Sequence, residues 1–146
     1  MKNIIAKPFL KWAGGKSQLL EKFHTMYPCE LLNGEIKTYI EPFVGGGAVL
    51  LDVLQKFESI EKAYIFDLNK ELINCYRCIK SDVEQMISTL KVLKKTFMDL
   101  NIDDKLIFYL DIRASFNTIK LNGHYDFEKA AKFIFLTKHV SMVSIE

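Results

Sequence analysis

A short strand-like run followed by three consecutive glycines constrains this sequence more than any other feature. Thr38-Tyr39-Ile40 has the β-branched and aromatic residues of a strand. Gly45-Gly46-Gly47 follows, and the apolar stretch from Ala48 to Phe57 predicts a helix after it. A strand, a glycine turn and a helix let backbone amides and a helix N-terminus approach a ligand closely. The alternative is a tight strand-to-helix turn with no ligand.

A second apolar run ends at an acidic residue. Ala63 to Phe66 is apolar throughout, which predicts a strand buried on both faces, and Asp67 comes next. Asp67 lies 20 residues after Gly47, a separation at which a carboxylate can accept hydrogen bonds from ribose hydroxyls. The dinucleotide fingerprint would need a glycine where this chain has Leu50. The pattern therefore favours a nucleoside ligand without phosphates over NAD.

Another glycine stretch, Gly14-Gly15-Lys16-Ser17, ends like the phosphate-binding loop of nucleoside triphosphatases. That loop requires a glycine five residues before its second glycine, where this chain has Leu10. It also normally follows a strand, for which the sequence before Leu10 leaves no room. A P-loop kinase or GTPase is therefore disfavoured.

The chain changes character at about residue 80. Residues 1–80 predict an α/β segment and residues 81–146 a nearly all-helical one, so a domain boundary is predicted between them. Two strands are too few for a complete doubly wound sheet. The predicted local signals are an Asn69 cap, a capping box at Ser81-x-x-Glu84, a helix start at Asp103 or Asp104, a turn at Asn122-Gly123 and an Asp126 cap.

Composition excludes several classes of protein. The 146 residues are 49% hydrophobic with seven Gly and three Pro, which excludes collagen and low-complexity disorder. The formal net charge of +2 makes no case by itself for nucleic acid or a membrane. No apolar run is long enough to span a bilayer, and a cytoplasmic protein is expected. Cys75-x-x-Cys78 has no second pair, so reduced thiols are favoured over a zinc site and no metal is expected.

Three blocks of sequence occur in a characteristic order. They are Phe9-Leu10-Lys11-Trp12-Ala13-Gly14-Gly15-Lys16, Tyr39-Ile40-Glu41-Pro42-Phe43-Val44-Gly45-Gly46-Gly47 and Phe66-Asp67-Leu68-Asn69. Over residues 7 to about 80 they resemble the Dam-type (D12 class) DNA adenine-N6 methyltransferases, and Arg113-x-x-Phe116-Asn117 is similar to part of that family's recognition region. The resemblance implies the N-terminal portion of a Rossmann-like class I methyltransferase, with a partial sheet, followed by a helical, truncated target-recognition segment. It also implies S-adenosylmethionine as cofactor and duplex DNA with a flipped adenine as partner.

The resemblance also implies roles for individual residues. Asp67 would accept the ribose hydroxyls, the loop from Phe43 to Gly47 would approach the methionine and the sugar, and Lys16 would neutralise the ligand carboxylate. Trp12 could instead anchor a core, and Lys16 could be an exposed lysine at a helix start. The implied cofactor contacts are Trp12, Lys16, Phe43, Gly45, Gly47 and Asp67, and the implied DNA contact is Lys11.

The family's Asp-Pro-Pro-Tyr catalytic block is absent from these 146 residues. The prolines are Pro8, Pro28 and Pro42, so no Pro-Pro pair occurs and no catalytic residue is expected. We therefore expect weak cofactor binding at most, and no DNA methylation by the chain alone. The alternative is a non-catalytic cofactor-binding, DNA-binding or interaction module, in which a partner chain supplies the missing strands. His139 is expected to be a surface residue of the tail.

Overall fold

Two compact units make up the molecule. The computed structural model describes residues 5–10, Trp12 and residues 14–142. The first unit extends to Leu68 and the second begins at Asn69. This division falls before the predicted boundary at about residue 80, because the helix that follows Asn69 packs against later helices of the chain.

The first unit is a small α/β segment. A 3₁₀ helix, Lys16–Leu19, precedes two short helices, α1 (Leu20–His24) and α2 (Cys29–Leu32). Strand β1 (Thr38–Glu41), helix α3 (Ala48–Lys56) and strand β2 (Lys62–Ile65) complete the unit. The predicted order of strand, glycine turn, helix and strand is therefore present, and the mixed α/β class is confirmed.

The two strands pair in parallel. Thr38 is opposite Lys62 and Glu41 is opposite Ile65. The pairing continues beyond the strands, because the Phe66 amide donates to the Glu41 carbonyl (2.9 Å) and the Val44 amide donates to the Phe66 carbonyl (3.0 Å). The carboxyl ends of both strands consequently meet at one edge, where the glycine turn begins.

The prediction that β2 is buried on both faces is wrong. Tyr64 is 51% exposed and Phe66, just after the strand, is 54% exposed. On β1, the Ile40 side chain opposite Tyr64 is 59% exposed. An all-apolar strand is buried on both faces only where layers cover both faces, and in the part of the chain that the structure describes the sheet has two strands.

The second unit is helical. Its helices are α4 (Lys70–Ser81), α5 (Val83–Met98), α6 (Ile102–Thr118) and α7 (Phe127–Lys138), and a 3₁₀ turn, Val140–Met142, follows. Helix α7 lies at the centre and packs against the other three.

An aromatic cluster forms the centre of this helical packing. Phe97, Tyr109 and Phe135 are buried together. The rings of Phe97 and Phe135 meet edge to face with centroids 5.2 Å apart. His139 packs 4.5 Å from Phe97 and 4.7 Å from Phe135, and burial lowers its pKa. His139 is therefore half-buried against this cluster and is not the fully solvated tail residue that the sequence predicts.

Polar side chains cap each long helix of the second unit. The predicted caps Asn69 and Asp126 are confirmed, since each accepts a hydrogen bond at 2.8 Å from the amide three residues later. Ser81 is the last residue of α4, so Asp82 caps α5 instead of the predicted capping box. Asn101 caps α6, which therefore begins before the predicted Asp103 or Asp104.

The two predicted thiols of Cys75-x-x-Cys78 are buried and free. Burial raises the pKa of Cys75 to about 12, and burial together with the nearby Asp126 raises the pKa of Cys78 to about 11. Both thiols are therefore protonated at neutral pH.

Among the described residues, no three His, Cys, Asp or Glu side chains lie close enough together to hold a metal ion. No helix in the described ranges is long and apolar enough to cross a bilayer.

Candidate functional site

A cleft of about 810 Å³ lies where the strands of the first unit end. It is formed by the segment before α1, by the turn between β1 and α3, and by Asp67 after β2. Of the predicted cofactor contacts, five line it: Trp12, Lys16, Phe43, Gly45 and Asp67. Gly47 instead precedes the first residue of α3, and Lys11 lies outside the described residues.

The glycine turn requires glycine at two of its three positions. Gly45 has φ +51° and Gly47 has φ +81°, in the left-handed region that residues with a side chain adopt at a cost. The Gly47 amide donates to the Val44 carbonyl at 2.9 Å, which closes the turn directly before α3. The turn therefore has a tight, specific conformation, and its backbone forms part of the cleft wall.

The segment that contains Trp12 crosses this turn in close contact. A Cβ atom added to Gly45 would lie 3.3 Å from Trp12 Cδ1. A Cβ atom added to Gly46 would lie 3.2 Å from the Leu10 carbonyl oxygen. Trp12 is half-buried and lines the cleft, so its ring packs on the turn at the edge of the cleft and not in the centre of a core.

Asp67 joins the turn to the second strand. The Gly45 amide donates to Asp67 Oδ2 at 3.0 Å. A hydrogen bond to an ionised carboxylate is about twice as strong as one between neutral groups. Asp67 therefore both lines the cleft and holds the glycine turn beside the end of β2.

A buried carboxylate that sequence reasoning missed lies beneath Lys16. Glu41 is only 5% exposed, and Lys16 Nζ lies 3.5 Å from its Oε1 atom. The Tyr39 hydroxyl donates to Glu41 Oε2 at 2.9 Å, and burial together with this bond raises the pKa of Tyr39. The available signal was an acidic residue that ends an otherwise uncharged strand.

Lys16 is fixed by acceptors on the turn. Its Nζ atom donates to the Phe43 carbonyl at 2.8 Å in addition to the Glu41 contact. Lys16 is the first residue of the 3₁₀ helix, as the alternative interpretation describes, and it is half-buried. Phe43 supplies this carbonyl, and the residue itself is 69% exposed where it lines the cleft.

The cleft therefore combines four kinds of group: a lysine ammonium, two carboxylates, backbone of a glycine turn and an indole ring. Such a set can bind a ligand that carries hydroxyl donors, an ammonium and a carboxylate. Comparison with known proteins identifies the family. Residues 12–145 match the family described as D12 class N6 adenine-specific DNA methyltransferase.

The chain belongs to this family. It is 47% identical over 132 residues to the Type II methyltransferase M.MjaIII of Methanocaldococcus jannaschii, which covers 90% of this chain and 45% of that protein. It is 34% identical over 136 residues to the Type II methyltransferase M1.LlaDCHI of Lactococcus lactis subsp. cremoris, with 93% of this chain and 42% of that protein covered.

A DNA adenine methylase of Haemophilus influenzae is 32% identical over 132 residues, with 90% of this chain and 40% of that protein covered. This methyltransferase-family chain thus spans less than half the length of each of these relatives. The resemblance to the Dam-type enzymes is confirmed, and the roles of the individual cleft residues remain predictions.

The packing of Trp12 on the turn gives a first test. Gly45→Ala adds a Cβ atom that meets the indole, whereas Gly14→Ala adds one at φ +75° with nothing within 4 Å. Both variants strain the backbone by about 1–2 kcal/mol, so the difference between them isolates the indole contact. We expect Gly45→Ala alone to shift the emission of Trp12, which is the only tryptophan. Urea unfolding followed by fluorescence measures both effects, and equal emission spectra would contradict the described contact.

Proposed function

We propose that this chain is the S-adenosylmethionine-binding portion of a Rossmann-like DNA adenine-N6 methyltransferase that acts on a flipped adenine in duplex DNA. One observation supports the proposal above the others: the Trp12 segment, the glycine turn and Asp67, which are separate in sequence, line a single cleft. The cleft volume of about 810 Å³ is within the range of cofactor sites. No membrane and no metal ion has a part in this proposal.

The adenosyl part of the ligand would be held at Asp67. Its carboxylate follows β2 at the carboxyl edge of a parallel sheet, where ligands of α/β proteins bind. Ribose hydroxyls are donors, and Asp67 is an acceptor at the cleft wall. The Trp12 ring offers an apolar face to the same space, and Gly45 lets the backbone approach the ligand without a side chain between them, while Gly47 closes the turn behind it.

The amino-acid end of the ligand would be held by the pair of Lys16 and Glu41. A free amino acid group carries both a carboxylate and an ammonium, and the cleft presents one side chain of each opposite charge. Because Glu41 is almost fully buried, solvent would only weakly screen its attraction to the ligand ammonium. When bound, S-adenosylmethionine supplies an electrophilic methyl group, and the chain's own groups bind and orient it.

Methyl transfer also requires acceptors for the adenine amine. The family resemblance assigns these to an Asp-Pro-Pro-Tyr block, which these 146 residues do not contain. We therefore assign cofactor binding to the chain and no catalytic residue to it. Duplex DNA is its proposed partner through the helical unit, residues 81–146 in the predicted division.

The two ends of the ligand can be tested separately. S-adenosylmethionine carries both the nucleoside and the amino acid group, whereas 5′-methylthioadenosine carries only the nucleoside. We expect Asp67→Asn to weaken binding of both ligands by about 10-fold or more, since hydrogen bonds to charged groups contribute about 1.5–3 kcal/mol. We expect Lys16→Gln to weaken binding of S-adenosylmethionine alone. Isothermal titration calorimetry measures each dissociation constant.

Matched controls for these variants are Asp99→Asn and Lys22→Gln, which make the same changes at exposed positions outside the cleft. Neither control should change either dissociation constant. Unaltered binding in Asp67→Asn would remove Asp67 from the site. A loss of 5′-methylthioadenosine binding in Lys16→Gln would show that Lys16 acts on the turn and not on the ligand carboxylate.

The assignment of no catalytic residue predicts the result of a transfer assay. With tritiated S-adenosylmethionine and duplex DNA of mixed sequence, we expect the 146-residue chain to transfer no label above a protein-free blank. A relative of full length, assayed in parallel, is the positive control. Transfer by the chain itself would show that acceptors for the adenine amine lie among these residues.

A second candidate function is an interaction module that binds another chain. The observation that favours it is the exposed apolar face formed by Ile40, Tyr64 and Phe66. A partner that contributes strands would cover these side chains and pair with the open sheet edges. We expect light scattering after size exclusion to show self-association that Tyr64→Lys reduces and the exposed control Val92→Lys does not. A monomer that is unaffected by both variants would count against this candidate.

A further inference from the structure

A network of four polar side chains joins α1 to α3 within the first unit. His24 is the last residue of α1, Tyr27 follows that helix, and Asp52 and Lys56 are one turn apart on α3. All four lie outside the set of described residues that line the cleft. The proposed function therefore gives them no direct contact with the ligand.

Asp52 is the centre of this network. His24 Nε2 lies 2.8 Å from Asp52 Oδ2, and Lys56 Nζ lies 2.9 Å from Asp52 Oδ1. The Tyr27 hydroxyl donates to Asp52 Oδ2 at 3.3 Å. Lys56 Nζ also contacts both ring nitrogens of His24, with Nδ1 at 3.1 Å. Because an ionised carboxylate only accepts hydrogen bonds, His24 donates to Asp52 through Nε2.

Partial burial distinguishes this network from an ordinary surface ion pair, which contributes little. The Asp52 side chain is 12% exposed. Burial raises the pKa of Asp52, but the hydrogen bonds from Lys56 and His24 outweigh it, so the pKa lies below its ordinary value. Burial and the nearby Asp52 raise the pKa of Tyr27 to about 12, so its hydroxyl keeps the proton that it donates. Asp52 is thus an anionic acceptor that binds α1 and the residues after it to α3.

The position of α1 sets the position of Lys16. The 3₁₀ helix that begins at Lys16 continues directly into α1, and both elements pack on α3. Helix α3 begins directly after Gly47 of the glycine turn, and the Phe43 carbonyl before this turn accepts from Lys16. The helix that holds the end of α1 through Asp52 therefore also follows the turn against which Lys16 is placed.

We propose that Asp52 is a positioning residue for Lys16: by holding His24 it fixes α1 and the 3₁₀ helix on α3, and so keeps the Lys16 ammonium at the amino-acid end of the cleft. This inference rests on the proposed function for its ligand. Asp52 acts through Lys16 and does not touch the ligand itself, because it lies outside the cleft lining. Its effect therefore falls on the ligand carboxylate and not on the nucleoside.

The test compares two ligands by isothermal titration calorimetry with the 146-residue chain. We expect Asp52→Ala to weaken binding of S-adenosylmethionine by about 3-fold or more, as for coupled residues of one network, and to leave 5′-methylthioadenosine within about 2-fold of wild type. A general loss of stability would weaken both ligands alike. The matched control is Asp111→Ala, the same change at an exposed position of α6, which should alter neither dissociation constant.

A double variant tests the route through Lys16. If Asp52 acts by placing Lys16, then Asp52→Ala should change binding of S-adenosylmethionine by less than about 2-fold once Lys16→Gln is present, because the two changes share one path. A further loss as large as in the single variant would overturn this route.

An isosteric variant tests the hydrogen bond to His24. Asp52→Asn keeps one oxygen acceptor for His24 Nε2, so its affinity for S-adenosylmethionine should lie between those of wild type and Asp52→Ala. An affinity no better than that of Asp52→Ala would overturn the role of this bond. Circular dichroism checks folding, and if Asp52→Ala is unfolded, Asp52→Asn carries the comparison of the two ligands and the double variant with Lys16→Gln.

The outcomes separate this role from the proposed function. A wild-type chain that binds neither ligand would overturn the proposed function. A wild-type chain that binds both, together with an Asp52→Ala variant that loses both ligands equally or neither, would overturn only the positioning role of Asp52.

Discussion

The hydrogen bond from the Gly45 amide to the Asp67 carboxylate is the contact on which the cleft depends. The parallel pairing of β1 with β2 brings the ends of both strands to one edge. The hydrogen bond then holds together the two segments that follow the strands. Trp12 packs on the same glycine, so three segments that are distant in sequence are fixed around one residue. A side chain at position 45 would disturb all three at once, which explains why the turn is built from glycine.

Buried polar groups mark the two places where the chain holds a backbone in a set position. Burying a charge costs several kcal/mol unless a partner compensates for it. Glu41 has Tyr39 of strand β1 and Lys16 as partners beside the cleft, and Lys129 has the Glu71 carboxylate and the carbonyls at the end of α6. In both cases the ammonium also donates to a carbonyl of irregular backbone, that of Phe43 for Lys16 and that of Ile119 for Lys129. The contacts that offset the cost of burial therefore also fix irregular backbone.

Sequence patterns predicted those features that depend on neighbouring residues. Local signals predict the two strands, the glycine turn, the Asn69 and Asp126 caps, and Asp67 as the acidic residue after the second strand. The Lys16 contact with Glu41 did not, because it joins residues 25 positions apart and depends on how the first segment crosses β1. The burial of β2 was mispredicted since an apolar run does not show which layers cover it. The second compact unit begins at Asn69, before the predicted boundary, since α4 packs on α7 by tertiary contacts.

The hydrogen bonds that hold irregular backbone fall into two separate sets. The bonds that shape the cleft join residues between Trp12 and Asp67, all in the first unit. The bonds that hold the connection between α6 and α7 join residues between Asn74 and Lys132, all in the second. Substitutions without shared partners have nearly additive effects on stability, so a substitution in either set leaves the other set of bonds in place. Variants of the cleft can therefore be compared with the wild type without loss of the bonds that hold the helical unit.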